Sequence, residues 1–232
     1  FGRLVLNTFL LSFYNLLWGF PVPILFALLL NELRSNRLKK AVQTITYMPH
    51  FVSLVVICGI VLNFTSQNGL ITTLLTYFGA PKANLLVNAG NFRTIYIASD
   101  IWQEMGWNSI IYIAAISGLD QEVYDAATVD GAGRLRKMWH VTLPGILPTI
   151  TILLILRIGG MMNIGFEKII LLYNPSIYDT ADVISSFVYR RGILQADYSY
   201  STAVGLFNSV INLFMLISAN WFSRRVNDSS LW

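Results

Sequence analysis

Residues 118–148 read GLDQEVYDAATVDGAGRLRKMWHVTLPGILP. This stretch is too polar to enter lipid, yet it lies between two long apolar runs. Asp120 is placed to cap a short helix, with Glu122 and Asp125 in its early turns where helix-end charge favours anions. Asp130–Gly131 is a turn signal. A second short helix is predicted over about Arg134–Val141, and Pro144 and Pro148 fall where the chain must turn into the next apolar run. Ala126 and Ala127 keep one helical face low, so a partner can pack closely there. A helix–turn–helix of this kind, held between two membrane spans, is built to meet another protein in the cytoplasm.

The surrounding composition agrees with a membrane setting. Of the 232 residues, 55% are hydrophobic and only 12% charged, about half the charged fraction of an average soluble domain. Mean hydropathy is +0.58. Five stretches approach the roughly 20 apolar residues that a helical span needs: about Leu4–Leu33, interrupted by Pro21 and Pro23; about Met48–Phe64, after Pro49 and an amphipathic lead-in from Leu38; about Phe92–Ile116; about Ile146–Leu172, with Gly159–Gly160 inside it; and about Thr202–Phe222. The expected fold is therefore an all-α membrane protein with about five transmembrane helices.

The net charge of +4 does not point to nucleic acid, because the basic residues flank the spans. Arg34, Arg37, Lys39 and Lys40 follow the first, Arg134, Arg136 and Lys137 the third, and Arg224 and Arg225 the fifth. The positive-inside rule makes all three places cytoplasmic, so the N-terminus is expected outside and the C-terminus inside. Lys82, Arg190 and Arg191 remain in the outer loops. Gly69–Phe78 suits a re-entrant or interfacial helix, and Ile177–Gly192 a loop folding back toward the pathway. The chain starts at Phe1 without a signal-peptide pattern, and a further N-terminal transmembrane helix is expected to precede it. Cys58 is the sole cysteine, so no intrachain disulfide forms and no metal cluster is expected.

The loop resembles the EAA loop of binding-protein-dependent ABC importer permeases, whose pattern is E-A-A-x3-G-x9-I-x-L-P. Here Asp125-Ala126-Ala127, Gly131 and Val141-Thr142-Leu143-Pro144 keep the spacing throughout, and Asp130-Gly131-Ala132 fits the usual D-G-A. Asp125 replaces Glu and Val141 replaces Ile. The resemblance implies a type I ABC importer permease fold in which residues 1–232 form one permease domain of the cell membrane. It makes Asp125, Ala126, Ala127, Asp130, Gly131, Ala132, Leu143 and Pro144 the residues of a coupling helix seated on a cytoplasmic ATPase dimer. It also implies a second homologous permease subunit and an extracellular or periplasmic solute-binding protein. ATP and Mg would be bound by the ATPase partners, with no cofactor held by this chain. The segments NTFLLSFYNLLWGFPVPILFALLLNEL, YMPHF and NDSSLW are similar to carbohydrate-import permeases related to MalF, nearest the LplB-like group, which implies an oligosaccharide as cargo.

The chain has neither a P-loop nor H-E-x-x-H nor G-x-S-x-G, which argues against an enzyme. A permease for amino acids or peptides, or a channel or scaffold without ATP coupling, is the alternative. Polar side chains within the spans are the candidates for the substrate pathway, because burying them in lipid is costly: Gln103, Glu104, Trp107, Asn108, Arg157, Asn163, Glu167, Asn208 and Asn212. Arg157 is expected to pair with Glu104 or Asp100, either structurally or beside the substrate. Trp102 and Trp107 suit sugar stacking or an interfacial belt. Gly159–Gly160 either unwinds its span or permits close helix packing. Arg190 and Arg191, with Lys168, suit an acidic oligosaccharide or an acidic patch on the solute-binding protein.

Overall fold

The computed structural model describes residues 1–227; of the NDSSLW terminus, residues 228–232 lie outside the described residues. Helix α1 (Gly2–Tyr14) runs into a widened π turn at Asn15–Gly19 and then α2 (Pro21–Asn31). Pro21 and Pro23 have no N–H to donate, and the wider turn just before them keeps the path helical without their bonds. The amphipathic lead-in forms α3 (Asn36–Tyr47), capped by Ser35, whose hydroxyl accepts from the Leu38 amide. A 3₁₀ turn at Met48–Phe51 separates it from α4 (Leu54–Thr65). The second span thus begins at Leu54 rather than Met48, because Pro49 breaks the helical ladder. The apolar segment after it forms the short helix α5 (Leu70–Tyr77).

Helix α6 (Ala89–Ser117) is continuous over 29 residues, about 43 Å at the α-helical rise. Helices α7 (Gln121–Val129) and α8 (Arg134–Lys137) follow, then a π turn at Met138–Thr142, α9 (Leu143–Gly145) and α10 (Leu147–Gly159). The second loop helix therefore ends at Lys137 and passes into a π turn instead of running to Val141. The fourth span is not one helix over Ile146–Leu172. It stops at Gly159, and the chain becomes helical again only in α11 (Phe166–Leu172). Helices α12 (Tyr178–Ala181) and α13 (Ile184–Tyr189), a π turn at Arg190–Leu194 and α14 (Tyr198–Asn227) complete the described chain.

Among the described residues, three helical stretches are long and apolar enough to cross a membrane: Gly2–Asn31, Leu54–Tyr77 and Tyr198–Arg225. A fourth is Arg134–Gly145 with Leu147–Gly159 if that pair, bent by 58°, is one span. Helix α6 has the length, but Arg93, Asp100 and Glu104 make it less apolar than these.

Of three apolar clusters that hold the bundle among the described residues, two lie at its opposite ends, and the third joins Leu4, Met162, Ile184 and Val204. Leu11, Phe92, Tyr96, Ile169, Ile177 and Val183 pack at one end, and Ile24, Leu28, Tyr112, Ile116, Met138 and Ile146 at the other. Burial of such side chains contributes roughly 1.5–3 kcal/mol each in water; between helices in lipid the gain comes from close packing instead. The segment 173–201 folds back onto the first cluster; the expected loop Ile177–Gly192 therefore packs on α1 and α6 and supplies no residue to the cleft. Asn7 Nδ2 donates to the carbonyls of Asp179 (2.9 Å) and Asp182 (3.0 Å), Thr180 Oγ1 donates to the Ala89 carbonyl (2.8 Å), and Asn174 Nδ2 to that of Leu86 (3.0 Å). Arg3 pairs with Asp179 at the surface.

Helix α14 runs antiparallel to α10. Leu216 lies against Gly159, and Asn212, earlier in α14, reaches Met162, later in the chain. That direction carries Arg224 and Arg225 toward the end where Arg34, Arg134 and Lys137 border one groove. The three basic clusters that set the expected orientation thus gather at one end of the bundle.

Candidate functional site

The helix pair of the 118–148 loop is hydrogen-bonded at both ends of its first helix. The Asp120 carboxylate accepts from the Glu122 amide at 2.9 Å and starts α7. Its far end is a Schellman turn: the Gly131 amide donates to the Thr128 carbonyl (3.0 Å) and the Ala132 amide to that of Ala127 (2.9 Å), with Gly131 at φ +73°. Only glycine takes that conformation without penalty, which gives the spacing from Asp125-Ala126-Ala127 to Gly131 a local cause. Gly131→Ala is expected to lower the stability of this turn by about 1–2 kcal/mol, read as faster amide exchange at Gly131 and Ala132; unchanged exchange would contradict it.

The helix pair is tied down on its inner side. Tyr124 Oη and Thr142 Oγ1 share a hydrogen bond of 2.8 Å, and Lys137 Nζ donates to Thr128 Oγ1 at 3.0 Å. Asp125 accepts from Gln121 Nε2 at 3.2 Å. Asp125, Ala126 and Asp130 face outward, as do Val123, Val129 and Leu135, the last two 88% and 68% exposed. Leu143 and Pro144 belong to α9, at the joint between the loop and α10. The helix pair thus exposes three apolar side chains among polar ones.

Between the two end clusters lies a polar cleft of about 440 Å³, bordered by Asn15, Asp100, Glu104, Asn108, Arg157 and Asn163 among others. The π turn of the first span delivers Asn15, mid-helix α6 the two carboxylates, and the end of α10 Arg157. Arg157 does not pair with Glu104 or Asp100. Its Nη2 donates to Asn15 Oδ1 (3.1 Å), and Asn15 Nδ2 donates to Asp100 Oδ2 (2.9 Å). The carboxylates are engaged elsewhere: Lys168 Nζ sits 3.1 Å from Asp100 Oδ1, and His50 Nδ1 lies 2.9 Å from Glu104 Oε2. The break in the fourth span brings Lys168 back against α6, where it takes the position expected of Arg157. His50 also stacks on Trp107, with centroids 4.4 Å apart and planes 4° from parallel. Trp107 therefore already has a ring on one face.

The cleft thus gathers Glu104, Asn108, Arg157 and Asn163 of the expected pathway residues. Gln103 is buried on another side of α6, and Glu167, in the first turn of α11, is exposed away from the cleft walls. Asn208 and Asn212 do share a face, and it stitches the break in the fourth span. Both side-chain amides donate to Asn163 Oδ1 at 2.9 Å, and Asn212 Oδ1 accepts from the Met162 amide at 3.0 Å. Gly159–Gly160 does both things expected of it: the helix ends there, and Leu216 packs where a Gly159 side chain would stand. Asn15 and Tyr96 were missed as cleft residues; an Asn just before a Pro-x-Pro break is the signal that marks the former.

The outer arginines are less available than their sequence suggests. Arg190 forms a two-pronged pair with Asp182 (2.8 and 2.6 Å) and also reaches Tyr173 Oη at 3.3 Å. The hydrogen bonds to Asp182 push the Arg190 guanidinium still further above its ordinary value, so it stays charged. Arg191 reaches Gln195 Oε1 at 3.1 Å and lies over the Tyr200 ring. Among the described residues no group of three or more His, Cys, Asp and Glu is placed to hold a metal ion.

Residues 3–228 match the family model described as "Binding-protein-dependent transport system inner membrane component". Over its whole length the chain is 45% identical to the polygalacturonan/rhamnogalacturonan transport system permease protein YteP of Bacillus subtilis (strain 168), covering 73% of that protein. It is 43% identical to protein LplB of the same organism, again over the whole chain and 73% of the relative. Two solved structures superpose closely, each 46% identical to it. One is a bacterial ABC transporter involved in the import of the acidic polysaccharide alginate, with TM-score 0.93 over 98% of this chain and 80% of that one. The other is a bacterial alginate ABC transporter in complex with alginate pentasaccharide-bound periplasmic protein, with TM-score 0.94 over 100% of this chain and 81% of that one.

Proposed function

The chain belongs to the family of binding-protein-dependent transport system inner membrane components, and on that premise we propose that it forms the substrate pathway of an ATP-driven oligosaccharide importer. It has the all-helical type I ABC permease fold and is a multi-pass component of the cell membrane. The relatives whose names specify polygalacturonan and alginate support a carbohydrate cargo. In this reading the chain crosses the membrane five times, with α6 and the broken α10–α11 unit as the polar spans around the cleft. The basic end is cytoplasmic. A second, related permease subunit completes the pathway, and a solute-binding protein delivers cargo at the opposite face. ATP with Mg is held and hydrolysed by a cytoplasmic ATPase pair, and this chain contributes no catalytic residue.

The observation that carries the coupling role is the anchored, outward-facing α7–α8 projection. Lys137–Thr128 ties α7 to α8, and Tyr124–Thr142 ties α7 to the π turn that leads through α9 into α10, so a push on α7 would reach the helix that ends at the cleft through that turn. Closure of the ATPases on ATP would displace the projection and swing the spans, giving alternating access. A single cysteine at exposed Ala126, in a Cys58→Ser background, is expected to crosslink to the co-expressed ATPase subunits in an ATP-sensitive way. No crosslink in an intact membrane complex would remove the coupling role and return the channel or scaffold reading.

A further inference from the structure

The charges bordering the cleft are not equally occupied. Both Asp100 oxygens are taken, Oδ1 by Lys168 and Oδ2 by Asn15. Glu104 Oε2 is held by His50 at 2.9 Å. Arg157 differs: its hydrogen bond runs to the neutral amide oxygen of Asn15 at 3.1 Å, and its guanidinium carries more donors than that bond uses. Its side chain is exposed to the cleft.

The amide between them fixes its aim. Asn15 must turn Nδ2 to the Asp100 carboxylate, which only accepts, and Oδ1 to the guanidinium, which only donates. The opposite orientation would break both bonds at once. Asn15 is therefore a positioning residue, braced through Asp100 by Lys168. The brace spans the broken fourth span, with Arg157 before the break and Lys168 after it.

Arg157 also stands between two hollows. Beyond the 440 Å³ cleft is a second one of about 310 Å³ that shares Asn108, Leu156 and Arg157 with it and extends to Gly19, Pro23 and Tyr112. An extended chain passing from one to the other meets the guanidinium. The planar fork of arginine binds a carboxylate through two parallel hydrogen bonds, and the strength of that pair rises where water is thin. Glu104 on the wall formed by α6 gives the cleft a second pole, favouring one orientation: carboxylate toward Arg157, hydroxyls toward Glu104.

We propose that Arg157, aimed by Asn15, reads the carboxylate of a uronic-acid sugar in transit, so that the cargo is an acidic oligosaccharide. This rests on the oligosaccharide-importer reading and names its charge. The geometry assigns the selectivity to the mid-membrane Arg157 rather than to Arg190, which Asp182 already occupies.

The test uses the complete importer in proteoliposomes with its solute-binding protein, and two cargoes of one backbone: an oligogalacturonide and its fully methyl-esterified, uncharged form. Uptake is scored per molecule of loaded binding protein, which removes any preference of that protein. The unaltered complex is expected to import the acid. Arg157→Gln is expected to slow uptake of the acid by about tenfold or more, the loss of one charge-assisted pair, and to change uptake of the ester less than about twofold, on that same basis. Arg157→Lys should retain an intermediate rate for the acid, since it keeps the charge and loses the fork. Equal loss for both cargoes, or no loss for either, would overturn the assignment. Import of the ester alone by the unaltered complex would overturn it while leaving the oligosaccharide reading standing. Import of neither would overturn both.

Discussion

Lys168→Met is expected to destabilise the protein by about 3–5 kcal/mol, the range for a buried ion pair that loses one partner. The Lys168 side chain is 6% exposed, its ammonium lies 3.1 Å from Asp100 and 5.0 Å from the centre of the Tyr96 ring, and methionine matches its shape. Packing is therefore nearly kept while the Asp100 carboxylate is left with the Asn15 amide as its remaining partner. The Asp100 side chain is 23% exposed where it borders the cleft, and that access offsets only part of the loss. The readout is the thermal midpoint of the detergent-extracted complex, along with the amount of protein recovered from membranes. The double variant Lys168→Met/Asp100→Asn removes both charges and should regain most of the loss, because the Asn15 contact can persist with a neutral acceptor. A single variant as stable as the parent would show that the pair contributes little.

The second large effect concerns the outward face of the loop. Val129→Glu with Leu135→Glu is expected to weaken association with the ATPase subunits by about 100- to 1,000-fold, taking each as an interface anchor worth about 1.5–2 kcal/mol. Both side chains are mostly exposed, so the permease itself should fold and insert as before, with stability changed by about 0.5 kcal/mol or less per site. Co-purification of a tagged ATPase measures the first expectation and the thermal midpoint of the isolated permease the second. Retained association would put the contact elsewhere on the chain. A fall in both quantities would mean that these residues support the fold rather than a partner.

The parts of the fold legible in the sequence are those fixed by local chemistry. Asp120 as a cap, Gly131 as the turn glycine, the break at Pro21 and Pro23 and the small helix over Leu70–Tyr77 all follow from neighbours within one or two turns. The first half of the loop was legible because the spacing up to Gly131 reflects one hydrogen-bonded turn, whereas the π turn that ends the second helix at Lys137 left no such local mark. The cleft was only half legible. Its polar residues stand out against apolar surroundings, but their partners come from distant elements: Asn15 binds Arg157 across 142 positions, Lys168 reaches Asp100 across 68, and His50 reaches Glu104 across 54. Helices that are apolar nearly all round offer no stripe to say which side faces which neighbour. Arg157 was therefore assigned the carboxylate that Lys168 takes, since Lys168 was counted among the outer cations. The interruption after Gly159 was open between two readings, and what settles it, the amides of Asn208 and Asn212, lies about 50 positions away.

The stitching of that interruption has an electrical consequence. Asn163, Asn208 and Asn212 tie the break in the fourth span to α14 through carboxamides. A formal charge displaced across the bilayer exchanges about 2.3 kcal/mol with each 100 mV of membrane potential, but a carboxamide carries none. Those contacts carry no gating charge of their own, so any response of the break to membrane potential rests on the charges that flank it, Arg157 before it and Lys168 after it.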